Sequence, residues 1–318
     1  MLNAVVTYNM LEPQKEELIR ACEGRCVLRF MLSKDELAQA AGELDAILGP
    51  APVNAEFYAN ARKLKWLQTE SAGVDNYIPF IKNIPGATLT NSSGAYGRGI
   101  SEYLLTYTLV IMKKMREYYD AQRRHEWVSY GRVQTIEGAD VTVVGLGNLG
   151  GNFARKMHLL GARVRGVDQF IKEKPEYIDE LFRLDNMDEG LAGADIIALC
   201  LPNTPLTRGL MTRERIFAMK PGAILMNVGR GFALDQDALI DALKEKRIFA
   251  GLDVTTPEPL PQDSPLWDLE NLVLTPHVSG GPSSIYAPVF ISDIFVRNMK
   301  AFLDGRPLEN VVDLELGF

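Results

Sequence analysis

The chain of 318 residues is long enough for two domains of ordinary size and leaves no region over for a third. Its formal charge of −7 and sequence pI near 5.2, with no block of basic residues, exclude nucleic acid and anionic membrane as working partners. Three cysteines cannot build a disulfide framework, no Cys/His metal spacing occurs, the start MLNAVVTYNM is not a leader and no eighteen apolar residues run together, so a soluble, metal-free, cytoplasmic protein is expected.

Residues 1–100 alternate short apolar runs, AVVTY, CVLRF, AILG, WLQT and ATLT, with helical stretches such as PQKEELIRAC and SKDELAQAAG. That alternation predicts an open α/β sheet. Leu104, Leu105, Tyr107, Leu109, Val110 and Met112 then fit one long helix from Ser101, its expected N-cap, to Arg123, reading as a bridge between domains. From Val141 onward six strands are predicted: VTVVGL, RVRGVD, DIIALCL, AILMNV, FAGLDV and LVLTP. Six is the full count of a doubly wound dinucleotide-binding sheet. A last helix is expected to start near Ser283, with Ile285, Ile291, Ile294, Phe295, Met299 and Phe302 on one side and Gly305 as its stop signal. Because the sheet is already complete at Pro276, this helix is expected to return to the first domain. The fold reading is α/β, two Rossmann-like or flavodoxin-like doubly wound parallel-sheet domains with a cleft between them. Residues 1–97 plus 285–318 form a discontinuous substrate domain, residues 98–284 the nucleotide domain, and the cleft is the default site.

The glycine pattern Gly145, Gly147 and Gly150 lies between a buried strand and a helix, and Asp168 ends the next apolar run eighteen residues after Gly150. Strand, turn, helix and acid together are the context in which GxGxxG reads as a dinucleotide site, with pyrophosphate at the helix N-terminus. Asp168 accepts from ribose hydroxyls and repels a 2′-phosphate, so NAD(H) is favoured over NADP(H).

Three polar residues follow the later strands: Arg230 after AILMNV, Glu258 after FAGLDV and His277 after LVLTP. Their chemistry is complementary for reducing a carbonyl acid. A guanidinium fork matches a carboxylate, an imidazole delivers a proton to an oxygen gaining charge, and a carboxylate stabilises the protonated imidazole and fixes its tautomer. Taken singly, Arg230 reads equally as a turn arginine and Glu258 as a loop acid. His277, between Pro276 and Ser279-Gly280-Gly281, has no core face to fill, whereas His125 and His158 need only packing or solvent.

GLGNLGG with Asp168, CLPNTPLTRGLM, MNVGRG, GLDVTTPEPLP, LTPHVSGG and the N-terminal SAGVD occur in the order and spacing of one family, and the chain resembles the D-isomer-specific 2-hydroxyacid dehydrogenases along nearly its whole length. The resemblance implies a glyoxylate/hydroxypyruvate reductase or a short phosphoglycerate dehydrogenase-like form without a regulatory domain. It implies that Arg230 binds substrate, Glu258 orients the histidine and His277 is the acid/base. Asn148 and Leu149 then belong to the pyrophosphate turn, Asp168 to the adenosine ribose and Thr207 to the cofactor cleft. Val228 and Gly229 lie near the nicotinamide, Asp253 receives its carboxamide, and Ser279 and Gly280 follow the histidine. Ser71, Ala72 and Gly73 match the loop whose amides hold the substrate carboxylate. Formate dehydrogenases of the family carry glutamine at the position of Glu258, so glutamate points to 2-keto acid reduction. A homodimer is implied, with the helix from Ser101 and the segment after it in the interface. Trp127 reads either as an interface tryptophan or as a residue entering the partner's pocket. Tyr96 and Arg98 depart from the commoner family wording, and Arg98 is the candidate for a phosphate-bearing substrate. The alternative reading is an NAD(H)-sensing co-repressor of the same fold with little turnover.

Overall fold

The computed structural model describes residues 1–31, 33–280 and 284–318. They divide into two compact units, Met1–Tyr96 with Pro282–Phe318, and Gly97–Gly281.

The first unit opens with strands β1 (Leu2–Val6), β2 (Cys26–Phe30), β3 (Ala46–Leu48), β4 (Trp66–Gln68) and β5 (Thr88–Thr90), linked by helices α1 (Glu12–Cys22), α2 (Lys34–Ala40), α3 (Ala55–Asn60) and α4 (Ile78–Ile81). All strands pair in parallel in the order β2-β1-β3-β4-β5, the flavodoxin-like arrangement. Alternate residues point to opposite faces of the sheet. Val5, Ile47, Leu67 and Leu89 therefore join one buried cluster, while Ala4, Val6, Leu48 and Trp66 join another. Local signals start the helices: Pro13 occupies the first turn of α1, where its missing N–H costs nothing, and Asn54 caps α3 by accepting from Phe57 N at 2.9 Å.

The second unit begins with α5 (Gly97–Met112) and α6 (Met115–Arg123), followed by β6 (Asp140–Val144), α7 (Asn148–Leu159), β7 (Arg163–Val167), β8 (Glu180–Phe182), α8 (Met187–Leu191), β9 (Ile196–Leu199), α9 (Arg213–Ala218), β10 (Ile224–Asn227), α10 (Gln236–Lys244), β11 (Phe249–Leu252) and β12 (Leu272–Leu274). These seven strands are all parallel, ordered β12-β11-β10-β9-β6-β7-β8, so the strand order reverses between β6 and β9. Ligands of such sheets bind outside the carboxyl ends of the strands at that switch point. Both faces of β9 and β10 are covered, which is why IIAL and ILMN are almost wholly apolar.

Three expectations are corrected. The sheet has seven strands, not six, because the three-residue, half-exposed β8 hides in the charged run DELFRLD. The long helix is two helices, broken where Lys114 adopts φ 53°, and it starts at Gly97 rather than Ser101. Ser101 is buried inside α5, where its hydroxyl donates to Arg98 O at 2.7 Å instead of capping the helix. α5 packs on α7, β10 and β11 within the second unit.

The final helix, α11 (Ala287–Leu303), belongs to the first unit and lies on α1. Its expected start at Ser283 falls outside the described residues, and Ile285 precedes the helix and is exposed rather than on its buried face. Ile291, Ile294, Phe295 and Met299 do form that face, and Gly305 ends the helix with φ 67°. Buried Asn298 on α11 donates to Gln68 Oε1 at 2.7 Å, Thr90 Oγ1 donates to the same oxygen at 2.8 Å, and Trp66 Nε1 donates to Thr90 Oγ1 at 2.8 Å. Among the described residues no helix is long and apolar enough to cross a membrane, and no group of three His, Cys, Asp or Glu gathers as metal ligands.

Candidate active site

The glycine turn sits where β6 meets α7. Gly145 takes φ 90°, a region open to glycine, and a Cβ on Gly150 would stand 1.9 Å from Gly145 O. Helix and turn close on each other only because that carbon is missing. Gly147 and Asn148 are exposed at the start of α7, Leu149 is half-buried, and Asn148 O accepts from Asn152 Nδ2 at 2.6 Å. The first amides of a helix have no partner within it, so the turn presents donors and positive dipole to an anion. Asp168, just beyond β7, accepts from Leu146 N at 2.8 Å through Oδ2, and from Phe170 N at 2.8 Å and Ile171 N at 3.0 Å through Oδ1. A cradle without Cβ, a helix N-terminus and a carboxylate at the next strand end fit a dinucleotide.

The loops after β10, β11 and β12 bring the other candidates together. Glu258 Oε2 lies 2.7 Å from His277 Nδ1, and Glu258 Oε1 accepts from Thr255 N at 3.0 Å. An ionised carboxylate only accepts, so Nδ1 carries the hydrogen and Nε2 is left to exchange a proton. Both side chains reach solvent, at 48% and 37% exposure, so the pair is open to a ligand. His277 adopts φ 52°, with its amide bonded to Asp253 O at 2.8 Å. This left-handed backbone is unusual for a non-glycine residue and is held in place by its neighbours. Asp253 supplies much of that hold. Its buried carboxylate accepts from Thr275 Oγ1 (2.6 Å), Val278 N (3.0 Å), Ser279 N (3.1 Å) and the Ser279 hydroxyl, and Tyr107 Oη meets Thr275 Oγ1 in turn. Ser279 is buried beneath the loop and Gly280 is half-exposed at its end.

Arg230 follows a turn built by buried Asn227, whose Oδ1 accepts from Gly229 N at 3.1 Å and whose Nδ2 donates to Arg230 O at 2.9 Å. Arg230 Nη1 donates to Gly229 O at 2.9 Å, and Val228 and Gly229 are buried. A Cβ on Gly231 would lie 2.2 Å from Thr255 O, so the arginine turn packs backbone to backbone against the loop that carries Glu258. Gln236 bridges the same loop, exchanging bonds of 2.7 and 2.9 Å with Thr256. Thr207 is buried in the loop after β9, its hydroxyl donating to Pro202 O at 2.6 Å and accepting from Thr204 N at 2.9 Å.

In the first unit the loop Ser71-Ala72-Gly73 has its carbonyls engaged: Ser71 O accepts from Ser92 N at 3.0 Å, Ala72 O from Asn91 Nδ2 at 3.0 Å and Gly73 O from Ser71 Oγ at 2.8 Å. The amides of Ala72 and Gly73 donate to nothing among the described residues, so the loop presents donors outward. Tyr96 Oη donates to Glu70 O at 2.6 Å. Glu70, Thr275 and Gln236 went unnoticed in sequence, and Tyr107 was read only as an apolar helix position; an acid directly before SAGVD was the one available signal. Burial raises the Glu70 carboxyl above its ordinary range, and its Oε2 has no hydrogen-bond partner among the described residues. Trp127 is fully exposed on the stretch after α6.

Sheet order, glycine cradle and terminal acid define a dinucleotide-binding α/β protein. Residues 105–279 match the NAD binding domain of the D-isomer specific 2-hydroxyacid dehydrogenases, and the chain belongs to that family. It is 31% identical over 310 residues to a D-3-phosphoglycerate dehydrogenase of Methanocaldococcus jannaschii, covering 95% of this chain and 58% of the relative, so it spans little more than half of that protein's length. A glyoxylate/hydroxypyruvate reductase A of Serratia proteamaculans is 30% identical, with 83% of this chain and 84% of the relative covered. Among solved structures, a D-isomer specific 2-hydroxyacid dehydrogenase of Xanthobacter autotrophicus in complex with NADPH and MES superposes with a TM-score of 0.85 at 31% identity over 100% of both chains.

Proposed function

We propose that the chain is an NAD(H)-dependent dehydrogenase interconverting small 2-keto and 2-hydroxy acids. The observation that carries this reading is the 2.7 Å Glu258–His277 pair, open to solvent on the same sheet edge as the glycine cradle. The bound reduced nicotinamide supplies the hydride. His277 Nε2 gives the proton to the carbonyl oxygen, and Glu258 holds the imidazolium that is its source. Arg230 pairs with the substrate carboxylate, and the outward amides of the Ser71–Gly73 loop in the first unit are donors of the kind a carboxylate accepts from. Glutamate rather than glutamine at position 258 favours a 2-keto acid such as glyoxylate, hydroxypyruvate or pyruvate. Asp168 favours NADH.

A homodimer accompanies this reading. Met115, Tyr119, Trp127, Val128 and Val133 are exposed along α6 and the stretch after it. Lys113 Nζ and Lys114 Nζ pin that stretch through Gln134 O and Tyr130 O. A run of exposed apolar side chains on a tethered segment is what a self-associating surface requires. Light scattering on the purified chain tests it, with a monomer at micromolar concentration as the contrary result.

The activity itself is tested by following NADH oxidation with glyoxylate, hydroxypyruvate, pyruvate, 3-phosphohydroxypyruvate and bulkier 2-keto acids. Fast turnover of an unphosphorylated acid is expected. No turnover with any of them, while NADH binds, would sink the dehydrogenase reading.

A further inference from the structure

We infer that Arg183 is a second determinant of cofactor choice, acting at the adenosine-ribose corner against Asp168 and setting how well the chain tolerates a 2′-phosphate. The inference rests on the dinucleotide reading above and goes beyond Asp168 alone.

β7 and β8 run side by side to the carboxyl edge of the sheet, where Asp168 N donates to Phe182 O at 3.0 Å. One step further the ladder changes partners. Asp168 O accepts from Arg183 Nη1 at 2.9 Å, while Arg183 N turns away to Asn186 Oδ1 at 2.8 Å. The guanidinium is thereby held, half-buried, against the backbone of the residue expected to meet the ribose. It has five N–H donors and commits one of them to Asp168 O.

The Asp168 carboxylate does not neutralise it. Three amides from two directions, Leu146 on one side and Phe170 and Ile171 on the other, fix that carboxylate in place, and no ion pair joins the two side chains. The corner therefore holds a fixed anion and a fixed cation side by side. About one of the carboxylate's four lone-pair sites remains, enough for one ribose hydroxyl. A 2′-phosphate brings about two negative charges against the anion, yet the adjacent guanidinium offers the planar fork that phosphate matches. The outcome is a balance between Asp168 and Arg183. Removing the carboxylate also unties Leu146, loosening the glycine turn for either nucleotide, so the informative quantity is the ratio of the two affinities.

The test is equilibrium binding of NADH and NADPH, followed by nicotinamide fluorescence, with adenosine 2′,5′-bisphosphate as a probe lacking the nicotinamide. The unaltered chain is expected to prefer NADH. Arg183→Gln should widen that preference about tenfold by weakening NADPH and the bisphosphate. Asp168→Ser should reverse the preference, and the reversal should vanish in Asp168→Ser/Arg183→Gln. Arg183→Lys, which keeps the charge without the fork, should fall between. An affinity ratio that Arg183→Gln and Arg183→Lys leave unmoved in both backgrounds overturns the inference while the dinucleotide reading stands. An unaltered chain that binds neither nucleotide overturns both.

Discussion

The glycine turn after β6 and the histidine corner after β12 lie at the ends of strands in one sheet, yet they are held by opposite means. The turn is shaped by what is absent: no Cβ at Gly150, and backbone packed on backbone. The corner is shaped by what is present, an Asp253 carboxylate receiving the hydroxyls and amides of the loop that lifts His277 to its exposed position. Damage to the turn should therefore reach binding and stability together, whereas damage to the corner's exposed pair should reach chemistry alone.

The sharpest cut across that difference is His277→Ala. Removing a general acid costs on the order of 10²–10⁴-fold in turnover, and NADH affinity should not move. A parallel loss of NADH binding would join the two regions that the comparison separates. Glu258→Gln comes next. It replaces a charge-assisted bond worth about 1.5–3 kcal/mol with a neutral one, so kcat/KM for reduction should drop by about ten- to a hundredfold. Gly150→Ala should show the other pattern. Overpacking of this kind costs about 1–3 kcal/mol, visible as a lower Tm together with weaker NADH binding. The smallest effect belongs to a site outside both regions: Asp235→Ala removes the cap of α10, where Oδ1 accepts from Ala238 N at 2.9 Å, and should cost about 1 kcal/mol of stability with kcat unchanged.

Much of both regions was legible in sequence because their causes are local. Gly145, Gly147 and Gly150 report a backbone need at fixed spacing, and the apolar runs of β9 and β10 report burial on both faces. His277 stood out because nothing around it offered an apolar face. What escaped had causes distant along the chain. β8 is too short and too exposed to carry a pattern, and exists because β7 offers it an edge. The break at Lys114 carries no proline or glycine to announce it. Ser101 looks like a cap until Gly97, fitting closely against Asn148, begins the helix one turn earlier. The chain from Tyr107 through Thr275 to Asp253 joins residues 168 and 22 positions apart, and no local reading finds it.

The late return of α11 also has a consequence for synthesis. A ribosome finishes Gly97–Gly281 while the earlier-made unit still lacks the helix that covers Ala4, Val6, Leu48 and Trp66. Domains otherwise tend to close in the order they are made. Here the earlier-made unit is the later to be sealed, and until Asn298 reaches Gln68 its apolar sheet face is exposed to whatever the nascent chain meets. Protease pulses on ribosome-bound chains halted before Ala287 should accordingly cut the strands of the first unit and spare those of the second.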